Sequence, residues 1–410
     1  MDQPEVVVIG AGIAGGALAA VLARSGKRVL VLERTLEHED RVRGEYMHPW
    51  GVAEVHRLGL YDTLIDAGAN VLARLIPYDE CRSPEEAEAG AVGLALLPGV
   101  DGPLGVSHPG ACNAFDAAAV ASGAELVRGV SDVTVKPGRE PVVTYALDGQ
   151  TTSVMPRLVV GADGRESTVR RRLDFELHAT EPRTMGAGML VDGAGGWPES
   201  DMVIGSEGGR NFLAFPQGGG RVRLYLFYDV RDRHRLAGPE KQRAFLEAFR
   251  LKSFPGGEIF ASGTPAGPCG AFPMNDTWVE QPAIDGVVLV GDAAGHSDPL
   301  IGEGLSVAMR DVRQVGETLL DGDDWSPAAF AGYVEERDER MRRLRFFADV
   351  VTTLSVDVVP GALERRRRAD ERLMTDPELF MVRAGVFVGP EVTPAELFSD
   401  ATKDRIFATA

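Results

Sequence analysis

Three glycines near the amino terminus have the spacing of a phosphate-binding turn. They are Gly10, Gly12 and Gly15, and they directly follow the short β-branched run Val6–Ile9. This spacing permits a tight turn and lets the backbone approach a pyrophosphate, whose oxygens bind free N–H groups at the start of the next helix. Glu33 ends a second apolar run and can accept hydrogen bonds from a ribose diol. The unit predicts a dinucleotide site, the alternative being a structural glycine turn.

Two further turns combine glycine and aspartate at the ends of predicted strands. One is Gly161-Ala-Asp-Gly164, and the other runs from Gly291-Asp292 to Gly304. A nicotinamide dehydrogenase needs only the first turn, whereas a flavin with its ribityl arm can use all three. Asp163 and Asp292 are short acceptors suited to hydroxyl groups, although Asp in such places is usually a helix N-cap or turn residue. A helix beginning near Gly304 would direct N–H groups at the flavin N1/O2 edge and stabilise reduced flavin.

With these three motifs in order, the chain resembles the FAD-dependent group A flavoprotein monooxygenases of the p-hydroxybenzoate hydroxylase fold. The resemblance covers residues 4–70, 105–175 and 270–345, and Arg43-Gly44-Glu45-Tyr46 is most similar to the squalene-epoxidase-like branch. It implies an α/β fold in which a Rossmann-type FAD-binding domain carries an inserted antiparallel-sheet substrate lobe and C-terminal helices.

The same resemblance implies roles for individual residues. The first glycine turn and Glu33 would hold the ADP half of FAD, and Asp163 would serve both FAD and the approach of the nicotinamide. Asp292 would bind the ribityl hydroxyls, and the Pro299–Ser306 loop would line the isoalloxazine. Arg43, rather than Arg41, is the expected arginine contact. The predicted cofactor-binding set is Gly10, Gly12, Ile13, Ala14, Gly15, Glu33, Arg34, Arg43, His108, Asp163, Gly164, Gly291, Asp292, Pro299, Gly302, Gly304, Leu305 and Ser306.

Two departures from the family pattern leave the reaction open. The position after Gly-Asp-Ala-Ala, usually His, is Gly295, so that the histidine moves to His296, and the final motif residue, usually Asn, is Ser306. The third motif is also similar to geranylgeranyl reductases and flavin-dependent halogenases, although the Trp-x-Trp-x-Ile-Pro signature of the halogenases is absent. A flavin-binding scaffold or redox sensor without turnover is a further alternative.

The monooxygenase reading implies that NADPH or NADH reduces FAD transiently, that O₂ adds at flavin C4a, and that the hydroperoxide delivers one oxygen to a small or medium organic substrate. Hydroxylation and epoxidation both fit, on an aromatic, polyketide or terpenoid-like molecule. A phenol would need a base, for which the candidates by residue type are Tyr46, His48, Arg210 and His296. A lone histidine is more often a structural residue, and an epoxidation would need no base.

Changes in composition and patterning suggest how the chain is divided. The FAD-binding parts are predicted at residues 1–73, 105–183 and 273–345, with a loop or lobe excursion at 74–104, a substrate lobe at 184–272 and C-terminal helices at 346–410. In the lobe, Arg221–Asp229 alternates so that either of its two faces could cover the flavin. The run Arg365–Arg368 is flanked by acidic residues and predicts a solvated helix face.

Charge and cysteine content limit the partners. The chain has 410 residues, with 43 Lys+Arg against 61 Asp+Glu and a net charge of −18, which argues against binding to nucleic acid or anionic membrane. Three cysteines without CxxC spacing predict neither a disulfide framework nor a metal site and fit a reducing cytoplasm. No membrane anchor is expected, because acidic residues precede the apolar run at 6–23 and four glycines interrupt it. We expect a monomer or a homodimer.

Overall fold

The computed structural model describes residues 3–42, 44–356 and 361–408. Its strands are β1 (Val6–Ile9), β2 (Val29–Glu33), β3 (Tyr46–Met47), β4 (Asn70–Val71), β5 (Arg74–Asp79), β6 (Val92–Gly93), β7 (Leu104–Gly105), β8 (Glu125–Arg128), β9 (Ser131–Lys136), β10 (Val142–Leu147), β11 (Gln150–Val154), β12 (Leu158–Gly161), β13 (His178–Ala179), β14 (Thr184–Asp192), β15 (Asp201–Glu207), β16 (Arg210–Gly218), β17 (Arg221–Asp229), β18 (Thr264–Pro265), β19 (Gly270–Met274), β20 (Thr277–Trp278), β21 (Ala283–Ile284) and β22 (Val287–Leu289).

The α-helices are α1 (Ile13–Arg24), α2 (Pro49–Arg57), α3 (Tyr61–Asp66), α4 (Pro84–Ala89), α5 (His108–Ala121), α6 (Thr168–Arg172), α7 (Lys241–Glu247), α8 (Gly257–Ala261), α9 (Gly304–Asp321), α10 (Ala331–Ser355), α11 (Ala362–Thr375), α12 (Pro377–Val388) and α13 (Asp400–Phe407). Short 3-10 helices at Gly291–Ala294 and Pro299–Ile301 interrupt the segment between β22 and α9.

A six-stranded sheet in the order β21-β22-β12-β1-β2-β8 forms the centre of the FAD-binding part. All its neighbouring strands are parallel except the pair β21–β22. The strands β1, β2 and β22 are fully buried because α1, α5 and α9 cover one face and the antiparallel sheet β11-β10-β9 covers the other. Parallel strands buried on both faces read as unbroken apolar runs, which is the pattern that the sequence shows.

The strand order brings the three glycine turns together. β12 lies between β1 and β22, and all three run in the same direction. Gly10 follows β1, the Asp163 turn follows β12, and the Asp292 turn follows β22. The turns therefore meet at the carboxyl edge of the sheet, where ligands bind in open parallel sheets.

An eight-stranded, mostly antiparallel sheet forms the second layer of the molecule. Its path is β18-β14-β17-β16-β15-β5-β6, and β19 also pairs with β14. Residues 74–104, predicted as a loop or lobe excursion, form β5, α4 and β6, and the two strands pair within this sheet. The predicted α/β fold with an inserted antiparallel sheet is confirmed.

The structure distinguishes the two faces of β17. Leu224 and Leu226 pack with Phe245 and Phe249 around α7, together with further apolar residues. Tyr225 and its neighbours on the opposite face pack with residues of the FAD-binding part. We call this side of the eight-stranded sheet the inner face of the substrate lobe. It comprises Leu213, Phe215, Tyr225 and Phe227.

The C-terminal helices α10 to α13 form an apolar cluster that includes Trp50 and Ile301. The predicted solvated face of Arg365–Arg368 is wrong in part: Arg366 is buried and pairs with Asp79 and Glu80, whereas Arg367 and Arg368 pair with Glu364 on the surface. Across the described ranges, the structure contains no helix whose length and apolarity would let it span a membrane.

Candidate functional site

The first glycine turn is sterically closed except on one side. A Cβ added to Gly15 would lie 1.9 Å from the carbonyl oxygen of Gly10, and one added to Gly10 would lie 2.6 Å from that of Ala162. Gly10 also has a φ of +102°, a conformation that favours glycine. Around Gly12, by contrast, no described atom lies within 4 Å of an added Cβ. Gly12 therefore faces open space at the N-terminus of α1, as a turn that admits a pyrophosphate requires.

Glu33 is an ionised acceptor at the end of β2. Its Oε2 accepts from the backbone N–H of Ala11 at 2.8 Å, and its Oε1 accepts from the backbone and hydroxyl of Thr35 at 2.9 and 2.7 Å. Burial raises the pKa of Glu33, but these hydrogen bonds outweigh that effect and the pKa is lowered overall. Oε2, which accepts only one of these bonds, keeps a lone pair for a ribose hydroxyl. The neighbouring Arg34 is exposed.

The carboxylate of Asp163 makes the local contacts of a helix cap. It accepts from the hydroxyl of Ser167 at 2.5 Å and from the backbone N–H groups of Thr168 and Val169 at 2.6 and 3.1 Å. The structure thus assigns Asp163 the capping role that the sequence left as an alternative. Gly164, with a φ of +75°, has open space beside its Cα. A role of Asp163 toward FAD or the nicotinamide stays a prediction.

Asp292 joins the second and third turns. Its Oδ2 lies 3.2 Å from Nε of Arg165, and its side chain is 30% exposed at the carboxyl edge of the sheet. Arg170 donates to the carbonyl of Ala293 at 2.9 Å and so holds the same two turns together from the buried side. Asp292 and Asp163 are both partly exposed, whereas Glu33 is buried, and this exposure leaves Asp292 accessible to a ligand hydroxyl.

A buried ionic cluster beneath the third turn was not predicted from the sequence. Asp311 accepts from the backbone N–H of Gly291 at 2.8 Å and pairs with Arg337 and Arg340 at 3.0 and 2.7 Å. Arg337 also donates to the carbonyls of Gly291, Ala294 and Gly295 at 3.1, 3.1 and 2.9 Å. We call Asp311, Arg337 and Arg340 the turn brace. Its only sequence signal is the placement of Asp311 within the apolar stripe of α9.

The segment 299–306 contacts residues from the start of the chain. Nε2 of His48 donates to the carbonyl of Ile301 at 2.8 Å, and Nε1 of Trp50 donates to Oε2 of Glu303 at 2.9 Å. Glu303 is fully buried, which raises its pKa well above the ordinary value and favours the neutral acid. Leu300 packs with the inner face of the substrate lobe. This segment therefore lies between the parallel sheet and the lobe.

Ser306, at the position where the resemblance expects an asparagine, lies where α2 and α9 pack closely. Its hydroxyl accepts from the backbone N–H of His48 at 3.2 Å. A Cβ added to Gly51 would lie 2.4 Å from Oγ of Ser306, so that α2 and α9 approach closely at this point. A larger side chain at position 306 would have to displace α2. Leu305 and the fully buried Ser306 are thus packing residues of the first turn of α9.

The structure brings together only two of the four predicted base candidates. Tyr46 and His48 are in ring contact beside Gly302, with centroids 4.6 Å apart. His296 is hydrogen-bonded through Nδ1 to the hydroxyl of Thr277 at 2.8 Å. Arg210 does not join them: it begins β16 and lines a surface pocket with Arg235, on the side of the sheet opposite the inner face. A direct role for Arg210 at the flavin conflicts with this position.

Other predicted contacts lie around the start of α5. A Cβ on Gly44 would lie 2.9 Å from Cδ2 of His108, so His108 borders the Arg-Gly stretch. Burial lowers the pKa of His108 to about 4, which leaves the imidazole neutral near pH 7. Arg43 lies outside the described residues, and Arg41 is exposed. No group of His, Cys, Asp or Glu in the described ranges could hold a metal ion.

Two buried carboxyl groups should make the free energy of unfolding depend on pH. Asp298 directly precedes the 299–306 segment, and Asp276 accepts from the backbone N–H of Asp298. Burial raises the pKa of Asp276 to about 7 and that of Asp298 to about 6, although Asp298 accepts from the N–H of Leu300 at 2.9 Å. The folded state then holds these protons more tightly than the unfolded chain does. Their contribution to the free energy of unfolding is therefore full below about pH 4 and is lost as the pH rises through 6 to 7.

We expect Asp298→Asn to remove one of these titrations. Its free energy of unfolding, measured by urea denaturation, should fall less than that of the wild type between pH 4 and pH 7.5, by up to about 3 kcal/mol. Asp285→Asn is the control, because Asp285 is exposed in the β21–β22 hairpin. Parallel pH profiles of Asp298→Asn and wild type would contradict the assignment.

The parallel sheet, its three converging turns and the inserted lobe define the fold of FAD-dependent oxidoreductases. A model of the FAD binding domain family matches residues 3–347, and the chain belongs to that family. The predictions of the family and of the fold are therefore confirmed, and the names of the relatives support an FAD-dependent oxidoreductase.

Relatives with established names are mostly monooxygenases. The chain is 26% identical to squalene monooxygenase of Mus musculus, over 79% of this chain and 56% of that protein. It is also 26% identical to 3-demethoxyubiquinol 3-hydroxylase of Escherichia coli, over 84% of this chain and 86% of that protein. The chain thus spans little more than half the length of the squalene monooxygenase that it matches.

Solved structures resemble the whole chain in fold. PqsL of Pseudomonas aeruginosa superposes with a TM-score of 0.72 at 21% identity, over 89% of this chain and 99% of that one. The flavin-dependent brominase Bmp2 superposes with a TM-score of 0.75 at 17% identity, over 98% of both chains. At these identities the likeness concerns the fold alone.

Proposed function

We propose that this chain is an NAD(P)H- and O₂-dependent flavin monooxygenase that inserts one oxygen atom into a largely apolar organic substrate. One oxygen of O₂ enters the substrate and the other leaves as water, with NAD(P)H supplying the two electrons. The observation that carries the proposal is the placement of the 299–306 segment between the three glycine turns and the apolar inner face of the lobe. The monooxygenase and hydroxylase names of the relatives support the same reaction class.

The first turn and Glu33 would hold the ADP half of FAD. Gly12 leaves space for the pyrophosphate at the N-terminus of α1. No side chain among the described residues caps this helix, so its first N–H groups would be available to the phosphate oxygens. Ionised Glu33 would accept from the ribose hydroxyls. Binding through backbone N–H groups and the helix dipole explains how an acidic chain can retain a phosphate-bearing cofactor.

Asp292 and the start of α9 would hold the flavin half. When bound, FAD supplies the redox chemistry and the activation of O₂. Asp292 would accept from the ribityl hydroxyls, while α9, beginning at Gly304, presents the positive end of its dipole to negative charge on the ring. Gly304 has open space beside its Cα, so the ring can approach this helix end closely.

The substrate would bind between the 299–306 segment and the inner face. Phe215 and Phe227 pack there with Leu300, and Phe387 contributes from α12. Such an apolar surface excludes water, which protects a reactive oxygen donor from hydrolysis and from loss as peroxide. The described ranges contain no second βαβ dinucleotide unit, which suits an electron donor that binds only transiently.

The decisive experiment is reduction without oxygen, followed by exposure to ¹⁸O₂. Purified protein should be yellow, and NADPH or NADH should bleach the flavin under nitrogen. Admission of ¹⁸O₂ with an accepted aromatic or terpenoid compound should yield a product heavier by one ¹⁸O atom. Consumption of the compound under nitrogen would support an alkene reductase instead, and halide incorporation would support a halogenase. Bleaching without conversion of any compound would support a redox sensor.

Replacement of Asp292 should impair cofactor retention specifically. Asp292→Ala removes the accessible acceptor at the carboxyl edge, so we expect the FAD content after gel filtration to fall and its dissociation constant to rise about tenfold or more. The matched control is Asp285→Ala in the neighbouring hairpin, which should retain FAD as the wild type does. Unchanged FAD content in Asp292→Ala would remove Asp292 from the binding site.

A further inference from the structure

Two polar groups on the lobe side of the 299–306 segment are buried without a hydrogen-bond partner. Neither Oη of Tyr46 nor Nδ1 of His48 has a partner among the described residues. The two side chains are 6% and 3% exposed, and their rings are in edge contact. Unpaired buried polar atoms cost about 1–3 kcal/mol each, so two on neighbouring rings call for an explanation.

The contacts of His48 identify Nδ1 as a hydrogen-bond acceptor. Nε2 lies 2.8 Å from the carbonyl oxygen of Ile301, which can only accept, so Nε2 carries the proton. Burial lowers the pKa of His48 to about 4, and the ring is therefore neutral near pH 7. A neutral imidazole protonated at Nε2 presents a lone pair at Nδ1. His48 is thus a fixed acceptor and a weak base.

Tyr46 supplies the complementary donor. Burial raises its pKa well above the ordinary value, so the phenol stays protonated. Its ring is held by stacking on Phe215 of the inner face, with centroids 4.7 Å apart. Phe387 lies on the other side, 5.4 Å from the ring of His48. The donor and the acceptor are therefore surrounded by aromatic carbon.

We propose that the substrate is a largely apolar molecule with one uncharged hydroxyl group, which donates a hydrogen bond to Nδ1 of His48 and accepts one from Oη of Tyr46. This inference rests on the proposed function, since it places the substrate against the 299–306 segment. A hydroxyl matches both groups at once because it is a donor and an acceptor. An ether could only accept, and a hydrocarbon could do neither. A site built to bond a hydroxyl discriminates strongly against the analogue that lacks it.

The test compares matched pairs of probes on the FAD-bound protein. Dissociation constants of 2-naphthol and naphthalene, and of 4-phenylphenol and biphenyl, are measured from the change in flavin absorbance. The wild type should bind the hydroxylated member of a pair about tenfold or more tightly than the hydrocarbon. Tyr46→Phe keeps the ring on Phe215 and removes only the unpaired hydroxyl, so the preference should fall about fivefold or more while the thermal midpoint stays level or rises.

Tyr228→Phe is the matched control. Tyr228 is also buried, its hydroxyl has no partner in the described part of the chain, and it lies in β17 on the side opposite the inner face. It should leave the preference for hydroxylated probes unchanged.

The inference is overturned if neither member of any pair binds, if wild type binds both members equally, or if Tyr46→Phe keeps the full preference. If the protein still inserts oxygen into a compound in those cases, the proposed monooxygenase activity stands and only the hydroxyl preference is overturned. If it inserts oxygen into no compound, the proposed activity itself is overturned.

Discussion

Gly15→Ala should destabilise the fold, whereas Gly12→Ala should weaken only cofactor binding, although the two glycines lie in one turn. A Cβ at position 15 would lie 1.9 Å from the carbonyl oxygen of Gly10, a contact that only backbone movement can relieve. We expect Gly15→Ala to lower the free energy of unfolding of the FAD-free protein by about 3 kcal/mol or more. Its FAD binding should be lost together with the turn.

Gly12→Ala should leave the FAD-free protein as stable as the wild type. Its Cβ would meet no described atom within 4 Å, and its φ of −73° suits any residue. The added methyl group would instead occupy the space expected for the pyrophosphate, so the dissociation constant for FAD should rise about tenfold or more. Urea denaturation without FAD and titration of flavin fluorescence separate the two effects. Wild-type FAD affinity in Gly12→Ala would place the pyrophosphate elsewhere.

The convergence of the three glycine turns was predictable because its signals are local. Each turn joins a buried apolar strand to a helix, and strand, turn and helix are neighbours in the sequence. Once the three strands are parallel and adjacent, their turns must meet at one edge. The part played by Asp163 was less predictable, because the same residue type in the same loop can bind a ligand or cap a helix. The hydrogen bonds to Thr168 and Val169 show that Asp163 binds the first turn of α6, and a role toward a ligand stays a prediction.

The inner face of the lobe could not be predicted from alternation alone. Both faces of β17 carry large apolar or aromatic residues, so the period of two indicates a strand without indicating its orientation. The choice depends on α7 and α8, which cover Leu224 and Leu226 from one side and leave Tyr225 for the other. The contact between Tyr46 and Phe215 could not be predicted either, because it joins segments that are far apart in the chain.

The turn brace was missed because its residues resemble those of a surface helix. The arginines and glutamates of α10 are spaced at i,i+4, as in solvated helices with intrahelical ion pairs. Arg337 and Arg340 are nevertheless each only 2% exposed in their side chains, and their main partner Asp311 is fully buried. Burial depends on the docking of α10 against α9, which no local pattern encodes.

Arg337→Met should therefore be among the most damaging substitutions outside the glycine turns. It would leave the carbonyls of Gly291 and Gly295 without the donor that the structure shows for them, and it would remove one of the two cations that compensate Asp311. Breaking a buried ion pair from one side costs about 3–5 kcal/mol. We expect a loss of that size in the free energy of unfolding, measured by urea denaturation.

The same variant tests whether the brace positions the third turn or only stabilises the fold. If it positions the turn that carries Asp292, FAD should bind Arg337→Met about tenfold or more weakly even at temperatures where the variant is fully folded. If it only adds stability, affinity at those temperatures would equal that of the wild type. Arg342→Met is the control, because Arg342 is about two-fifths exposed and pairs with Glu339 on the surface of the same helix. Equal FAD affinity in both variants would make the brace a feature of folding alone, since the position of Asp292 would then not depend on Arg337.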